Sequence, residues 1–301
     1  MCKADWICSC AQWNLYSIRK NPRIFCGFLL GFCLCCFLMQ RIMECSVLFH
    51  TDIQIFELFI WCFADSDSIL FVSLAILLFL FQIPRLDTPA YYLIFRKGKM
   101  DWLLGQALTS VLVSLSYTMF LLGSSMLLAL GGSNVVWGNE WSGTATILSF
   151  APENFQVALT VVRKTIKLTT PYDCAATIFF LMAQYILFLT LLNLLFSLMC
   201  GKKAGIVAVI VASLYGYLLN PEKLTVLLHV PEEVRYIANV IAAWASPLNH
   251  ATYAMHRFGY GGFPSMLQSH MVFGILNLGL LLGSCFSVRN TERIFLGGSH
   301  D

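Results

Sequence analysis

Charge is scarce in this 301-residue chain. Asp, Glu, Lys and Arg make up 12% of it, about half their share in ordinary soluble domains. Apolar residues make up 58%, and the mean hydropathy is +0.73. There is too little polar surface to cover a water-soluble core of this size. The net charge of +3 is too small to suggest nucleic acid as a partner. A G-x-x-x-x-G-K-[ST] phosphate loop is missing, since Gly201-Lys202-Lys203 lacks both the upstream glycine and the hydroxyl residue. That removes the backbone cradle for ATP. No carboxylate lies midway along any long apolar run, as a proton-driven carrier would usually require. A cleaved signal peptide is not expected either. The first apolar run starts only at Ile24, after two tryptophans, and no small-residue cleavage site follows it.

The chain does have six long apolar runs, near 24–43, 69–83, 102–130, 174–199, 204–219 and 271–288. A hydrocarbon core needs roughly 20 residues of helix, and lipid obliges each run to satisfy its own backbone hydrogen bonds. The expected fold is therefore all-α: a polytopic membrane protein with six transmembrane helices in a single domain, 1–301. A further apolar stretch, 53–63, precedes the second run. Segments 1–23, 84–101, 200–203 and 289–301 hold 12 Lys and Arg against 5 Asp and Glu, whereas the alternate segments hold 7 against 11. That bias predicts both termini in the cytoplasm. Arg163, Lys164 and Lys167 run against it, and a re-entrant or extra helix in 131–173 would accommodate them.

Residues 1–23 read as an amphipathic helix on the cytoplasmic face. Trp6, Cys10, Trp13 and Ser17 share one side, and Arg19, Lys20 and Arg23 close it at the membrane entry. Phe155, Leu159, Val162, Ile166 and Thr169 recur at helical spacing and predict a second amphipathic helix covering the outer ends of the bundle.

Most of the twelve cysteines act as small apolar residues. Cys26, Cys33, Cys35 and Cys36 lie in the first span, and Cys200 and Cys285 at helix ends. Cys2, Cys8 and Cys10 fall on the reducing side, and Cys8-x-Cys10 is too sparse for zinc. Cys45 and Cys62 share an outer loop and form the one candidate disulfide. Asp65 and Asp67, beside Ser66 and Ser68, suit a helix N-cap better than an ion site. Glu232-Glu233-Val234-Arg235 is similar to the paired glutamates of intramembrane prenyl-protein proteases. That pattern has three residues before the arginine and this chain has one, which turns the arginine about 200° around a helix. A charged helix start is the simpler reading. His229, His250 and His270 lack metal-ligand spacing on the spans. Gln106, Gln184, Asn193 and Asn277 are the polar residues inside the runs, suited to interhelical hydrogen bonds. Gln184 and Asn193 lie on opposite faces, and Asn193 with Ser197 is the expected bonding face.

Three stretches carry a resemblance. Tyr16-Ser-Ile-Arg-Lys-Asn-Pro-Arg23 leads from the first helix into the first span. Residues 83–106, IPRLDTPAYYLIFRKGKMDWLLGQ, join the second span to the third. Ser246-Pro-Leu-Asn-His-Ala-Thr-Tyr-Ala-Met255 precedes the last. Together they resemble the membrane subunits of type-two ABC transporters, the permease family of many bacterial exporters. Ser246 stands where that family usually has asparagine and Gln106 where it has lysine, and its acidic run after the second helix is reduced to Asp87. The resemblance implies a six-helix half-transporter in the bacterial cytoplasmic membrane, paired with a like or unlike second permease subunit. It also implies separate cytoplasmic ABC ATPase subunits that carry the ATP and Mg, so no cofactor, metal or catalytic residue is expected on this chain. The coupling segment it points to is Arg85, Asp87, Arg96, Lys97 and Lys99, with Lys202 and Lys203. A secondary carrier or channel without an ATPase is the other expectation.

Overall fold

A computed structural model describes residues 3–19, 21–84, 88–132, 134–150, 163–219, 229, 231–257 and 261–290. Helices dominate: α1 (Lys3–Arg19), α2 (Pro22–Phe49), α3 (Glu57–Phe63), α4 (Ser66–Leu80), α5 (Thr88–Lys97), α6 (Lys99–Leu130), α7 (Gly143–Phe150), α8 (Arg163–Leu168), α9 (Pro171–Cys200), α10 (Lys202–Leu218), α11 (Glu232–Ala245), α12 (Pro247–Ala251) and α13 (Met266–Asn290). A 3-10 turn, Tyr253–Met255, follows α12. Two short strands, β1 (Ile53–Gln54) and β2 (Val135–Val136), pair in parallel with Ile53 opposite Val135.

Helix starts follow local chemistry. The Asn21 side chain accepts from Arg23 N–H at the head of α2, and Thr170 does the same for Asp173 N–H at the head of α9. Proline occupies the next position in both, where its missing N–H costs nothing. Asp65 caps α4 by accepting from Asp67 N–H at 3.2 Å, as its composition predicts.

Among the described residues, four helices, α2, α6, α9 and α13, are long and apolar enough to cross a membrane. A fifth span arises if α3 and α4, bent by 88°, count as one. The expected span 69–83 is thus the second arm of a bent pair, and 53–63 supplies the first. α10, the expected span 204–219, has 17 residues, which rise about 25 Å against a hydrocarbon core of about 30 Å. α9 lies at the centre. Its most apolar stretch is 67% buried, against 28% to 39% for α2, α6 and α13, and it packs on α3, α4, α6, α10, α12 and α13. Phe28 stacks edge-on to Phe79 and Phe120 beside Tyr117, where α2 meets α4 and α6. Outward, α13 exposes Met271, Ile275, Leu278, Leu282 and Phe286, an apolar stripe compatible with lipid contact. The long apolar helices fit a multi-pass membrane protein.

Contacts sort the chain to two ends. One holds α1, α5, the starts of α6 and α10, and the last turns of α4, α9 and α13. The other gathers β1, β2, α3, α7, α11, α12, the end of α10 and the start of α9. Cys45 and Cys62 are both free thiols, on α2 and buried in α3 respectively, so the candidate disulfide is absent. The amphipathic helix expected over 155–169 lies partly outside the described residues, and α8 is its described portion.

Candidate functional site at the basic end

Three attachments assemble the basic end. The first docks α1 on α6. Gly105 of α6 permits the approach, because a Cβ there would stand 2.6 Å from that of Cys10. Asn14 Nδ2 donates to Thr109 Oγ1 at 3.1 Å, and Gln106 Nε2 donates to Asn14 Oδ1 at 3.4 Å. The buried stripe of α1 is Cys10, Ala11, Asn14 and Ile18. It is rotated from the expected side, where Trp6, Trp13 and Ser17 are only half-buried. The reason is Asn14, which turns inward to meet polar partners rather than outward to water.

The second attachment ties the end of α4 to α9. Asn193 Nδ2 donates to Ile83 O and, at 3.3 Å, to Leu80 O, which also accepts from Ile83 N–H at 3.2 Å, so the amide braces the turn that ends α4. Its Oδ1 accepts from Ser197 Oγ at 3.4 Å, so the expected Asn193–Ser197 face exists. α10 presses on the same spot through Gly205, whose absent Cβ would fall 2.1 Å from Ser197 Oγ and 2.7 Å from Asn193 O.

The third seats α5. Ile94 enters an apolar cluster with Trp102 and Leu103 of α6, Leu191, Leu194 and Leu198 of α9, and Val288 of α13. The opposite face of α5 is bare: Tyr92 is 72% exposed, Phe95 84%, and Arg96 is exposed. Aromatic and arginine side chains in such a position form the composition of binding hot spots.

Arg96 is thus exposed on α5, Lys99 is half-buried at the first turn of α6, and Lys202 and Lys203 are exposed at the first turn of α10. Lys97 closes α5. Arg85 and Asp87 lie outside the described residues. The turns before α6 and α10 share one conformation, with Gly98 and Gly201 both at φ +94°, a region that only glycine enters cheaply. Each delivers lysine to a helix N-terminus, where the helix dipole opposes a cation by a few tenths of a kcal/mol. These lysines therefore sit where the dipole alone would not place them.

The opposite end holds a carboxylate that sequence reasoning passed over. Glu57 is fully buried at the start of α3. It accepts from Ser142 N–H at 2.7 Å, Ser142 Oγ at 2.6 Å and Gln54 N–H at 3.4 Å. The signal was a lone acid within the apolar stretch 53–63. Nearby, an apolar pocket of about 500 Å³ opens between α6 and α9, lined by Phe56, Met119, Leu122, Trp137, Tyr172 and Phe179 among others. Gln184 meets His270 at 2.8 Å and Asn277 at 3.4 Å, well apart from Asn193. The Glu232–Glu233 segment opens α11 as a helix start. No set of three or more His, Cys, Asp or Glu suited to a metal occurs among the described residues. Comparison with protein-family models, curated proteins and solved structures returns no match.

Proposed function

We propose that this chain is the membrane-spanning permease subunit of an ATP-driven ABC exporter. It crosses the cell membrane six times, with α10 as the short fifth crossing and both termini in the cytoplasm, and pairs with a second permease subunit. Separate cytoplasmic ATPase subunits carry the ATP and Mg and dock on the basic end. The observation that carries this reading is α5. Of its described side chains Ile94 is the buried one and Leu93 is half-buried, while Tyr92, Phe95 and Arg96 face outward. The apolar pocket between α6 and α9 supports an amphipathic or apolar cargo. ATP drives transport only if nucleotide and cargo favour different states of the assembly.

Co-purification tests it. The tagged chain, solubilised from its source membrane, should bring down a phosphate-loop ATPase. Replacing Arg96, Lys97 and Lys99 with Ala should weaken that complex at least tenfold and abolish stimulation of the ATPase. Unchanged capture and stimulation would remove these residues from coupling.

The second reading, a secondary carrier or channel without an ATPase, is favoured by one feature. The 88° break between α3 and α4 is the kind of discontinuity that carriers use for ion and substrate sites, and the buried Glu57 lies on its first arm. Cargo uptake by vesicles containing this chain alone, driven by an ion gradient, would establish it.

A further inference from the structure

Two buried histidines and one buried serine converge at the end opposite the lysines. His250 is in α12, His256 follows the 3-10 turn, and Ser269 is in the first turns of α13; their exposures are 1%, 4% and 0%. Ser269 Oγ stands 2.8 Å from His250 Nδ1 and 2.8 Å from His256 Nε2. The far nitrogen of each ring faces carbonyl oxygen. His250 Nε2 is 3.2 Å from Trp244 O, and His256 Nδ1 is 2.9 Å from Thr252 O and 3.3 Å from Tyr253 O. Flipping either ring would set carbon against these oxygens, so the contacts fix both orientations.

A carbonyl only accepts, so each far nitrogen carries the ring hydrogen. Both near nitrogens are then bare acceptors when the rings are neutral. They face a single hydroxyl with a single hydrogen. Four contacts need four hydrogens, and two neutral imidazoles with one hydroxyl supply three. One lone pair must oppose another in a site closed to water, where an unmatched polar atom is costly. One added proton completes the set: a near nitrogen donates to Ser269 Oγ, and the hydroxyl donates to the other ring. A second proton would leave the hydroxyl hydrogen without an acceptor and place two cations against one oxygen.

We infer that His250, Ser269 and His256 form a binding site for one proton where the segment 247–257 meets α13. Burial opposes charge here, holding the pKa of His250 below its ordinary value and that of His256 at about 4, with desolvation the largest cause for each. Among the described residues, Arg257 follows His256 and is exposed, and α11, which packs on α12, begins with Glu232, Glu233, Arg235 and Tyr236. His250, and His270 on α13, repel a charge on His256. On the α9 side stand Cys174 and Tyr253, bonded to each other and within reach of Asp173. α4, which also packs on α12, carries Asp65 and Asp67 at its start, and α10 brings Tyr217 near its end. The site stands independently of any docked ATPase.

The test is ¹⁵N-histidine NMR of the full chain in lipid nanodiscs from pH 4 to 9, with His250→Gln and His256→Gln to assign the signals. The expected result is one proton shared by the pair at mildly acidic pH, with the second ring neutral. Ser269→Ala should lower the midpoint of that step by about one to two pH units, the shift that a hydrogen bond to a charged group supports. Ser269→Thr, which keeps the hydroxyl, should restore it. Two rings titrating independently in the unaltered chain would overturn the inference, a result that needs no variant to fold. So would a midpoint unmoved in Ser269→Ala.

Discussion

The tightest approach at any described glycine sets a sharp prediction for Gly205→Ala. The new methyl carbon would lie 2.1 Å from Ser197 Oγ, 2.5 Å from Asn193 Oδ1 and 2.7 Å from Asn193 O. Ser197 can rotate its hydroxyl away, and Asn193 can turn its amide. The carbonyl oxygen cannot move without α9 itself, so α10 must shift outward by several tenths of an ångström. Overpacking of this kind costs about 1–3 kcal/mol. Turning Asn193 also withdraws its donor from Leu80 O and Ile83 O, adding about 1 kcal/mol. The sum, about 2–4 kcal/mol, should appear as a lowered midpoint of unfolding in detergent. Gly123→Ala is the control, since a Cβ on that α6 glycine meets nothing within 4 Å. It should be neutral or stabilising by up to about 1 kcal/mol, because alanine restricts the unfolded chain more than glycine does. A Gly205→Ala protein as stable as the control would refute the close α9–α10 packing, and with it the latch on α4.

Asn14→Leu should free α1 from α6 by removing its bonds to Gln106 and Thr109. The buried Cys10 thiol should then react with a permeant maleimide at least several-fold faster, while Cys62 stays protected. Glu57→Ala should lower stability by about 2–4 kcal/mol, since it strands the buried N–H and hydroxyl of Ser142; thermal unfolding reads this directly. The histidine pair predicts a pH effect whose sign follows from a folded pKa below the unfolded one. Stability is full above pH 6.5 and falls by about 1.4 kcal/mol per unit as pH drops towards about 4, because the unfolded chain binds two protons and the folded pair one. Ser269→Ala should steepen that fall, since both rings then stay neutral, and denaturation midpoints at pH 7.5, 5.5 and 4.5 compare the two slopes.

What the sequence could reveal was set by how local the cause is. The apolar runs and the caps at Asn21, Asp65 and Thr170 depend on a handful of adjacent residues, so they are legible. The burial of Asn193 beside Ser197 follows from one helix face. The inward side of α1 is not legible, because Asn14 looks like a surface residue until Gln106 and Thr109, more than ninety positions away, are placed against it. The bend between α3 and α4 hides inside two apolar stretches that hydropathy alone reads as a flank and a span. Glu57 was visible as a charge among apolar residues, yet its partner Ser142 lies 85 positions on. His250 and His256 sit six apart, close enough to notice, but the serine that makes them one site comes from another helix.

α5 is held by different means from the far end of the bundle, and this bears on how docking at the basic end would act. At the far end, Glu57, Asn249 and the histidine pair bond across several elements, so each piece is fixed by more than one partner. At the basic end, α5 is seated by Ile94. Lifting that side chain out of its cluster costs about 1.5–3 kcal/mol, less than the ~8 kcal/mol of a micromolar interface. A partner that gripped Tyr92, Phe95 and Arg96 could therefore draw Ile94 from its seat. The displaced peg belongs to a cluster that joins α6, α9 and α13, so the movement would bear on three long helices. α4 and α10 would follow through Asn193 and Gly205. Under the proposed coupling, Ile94→Ala, which removes most of the peg, should then lower cargo-stimulated ATP hydrolysis at least several-fold while leaving the ATPase bound. Full stimulation in Ile94→Ala would show that the seat of α5 transmits nothing.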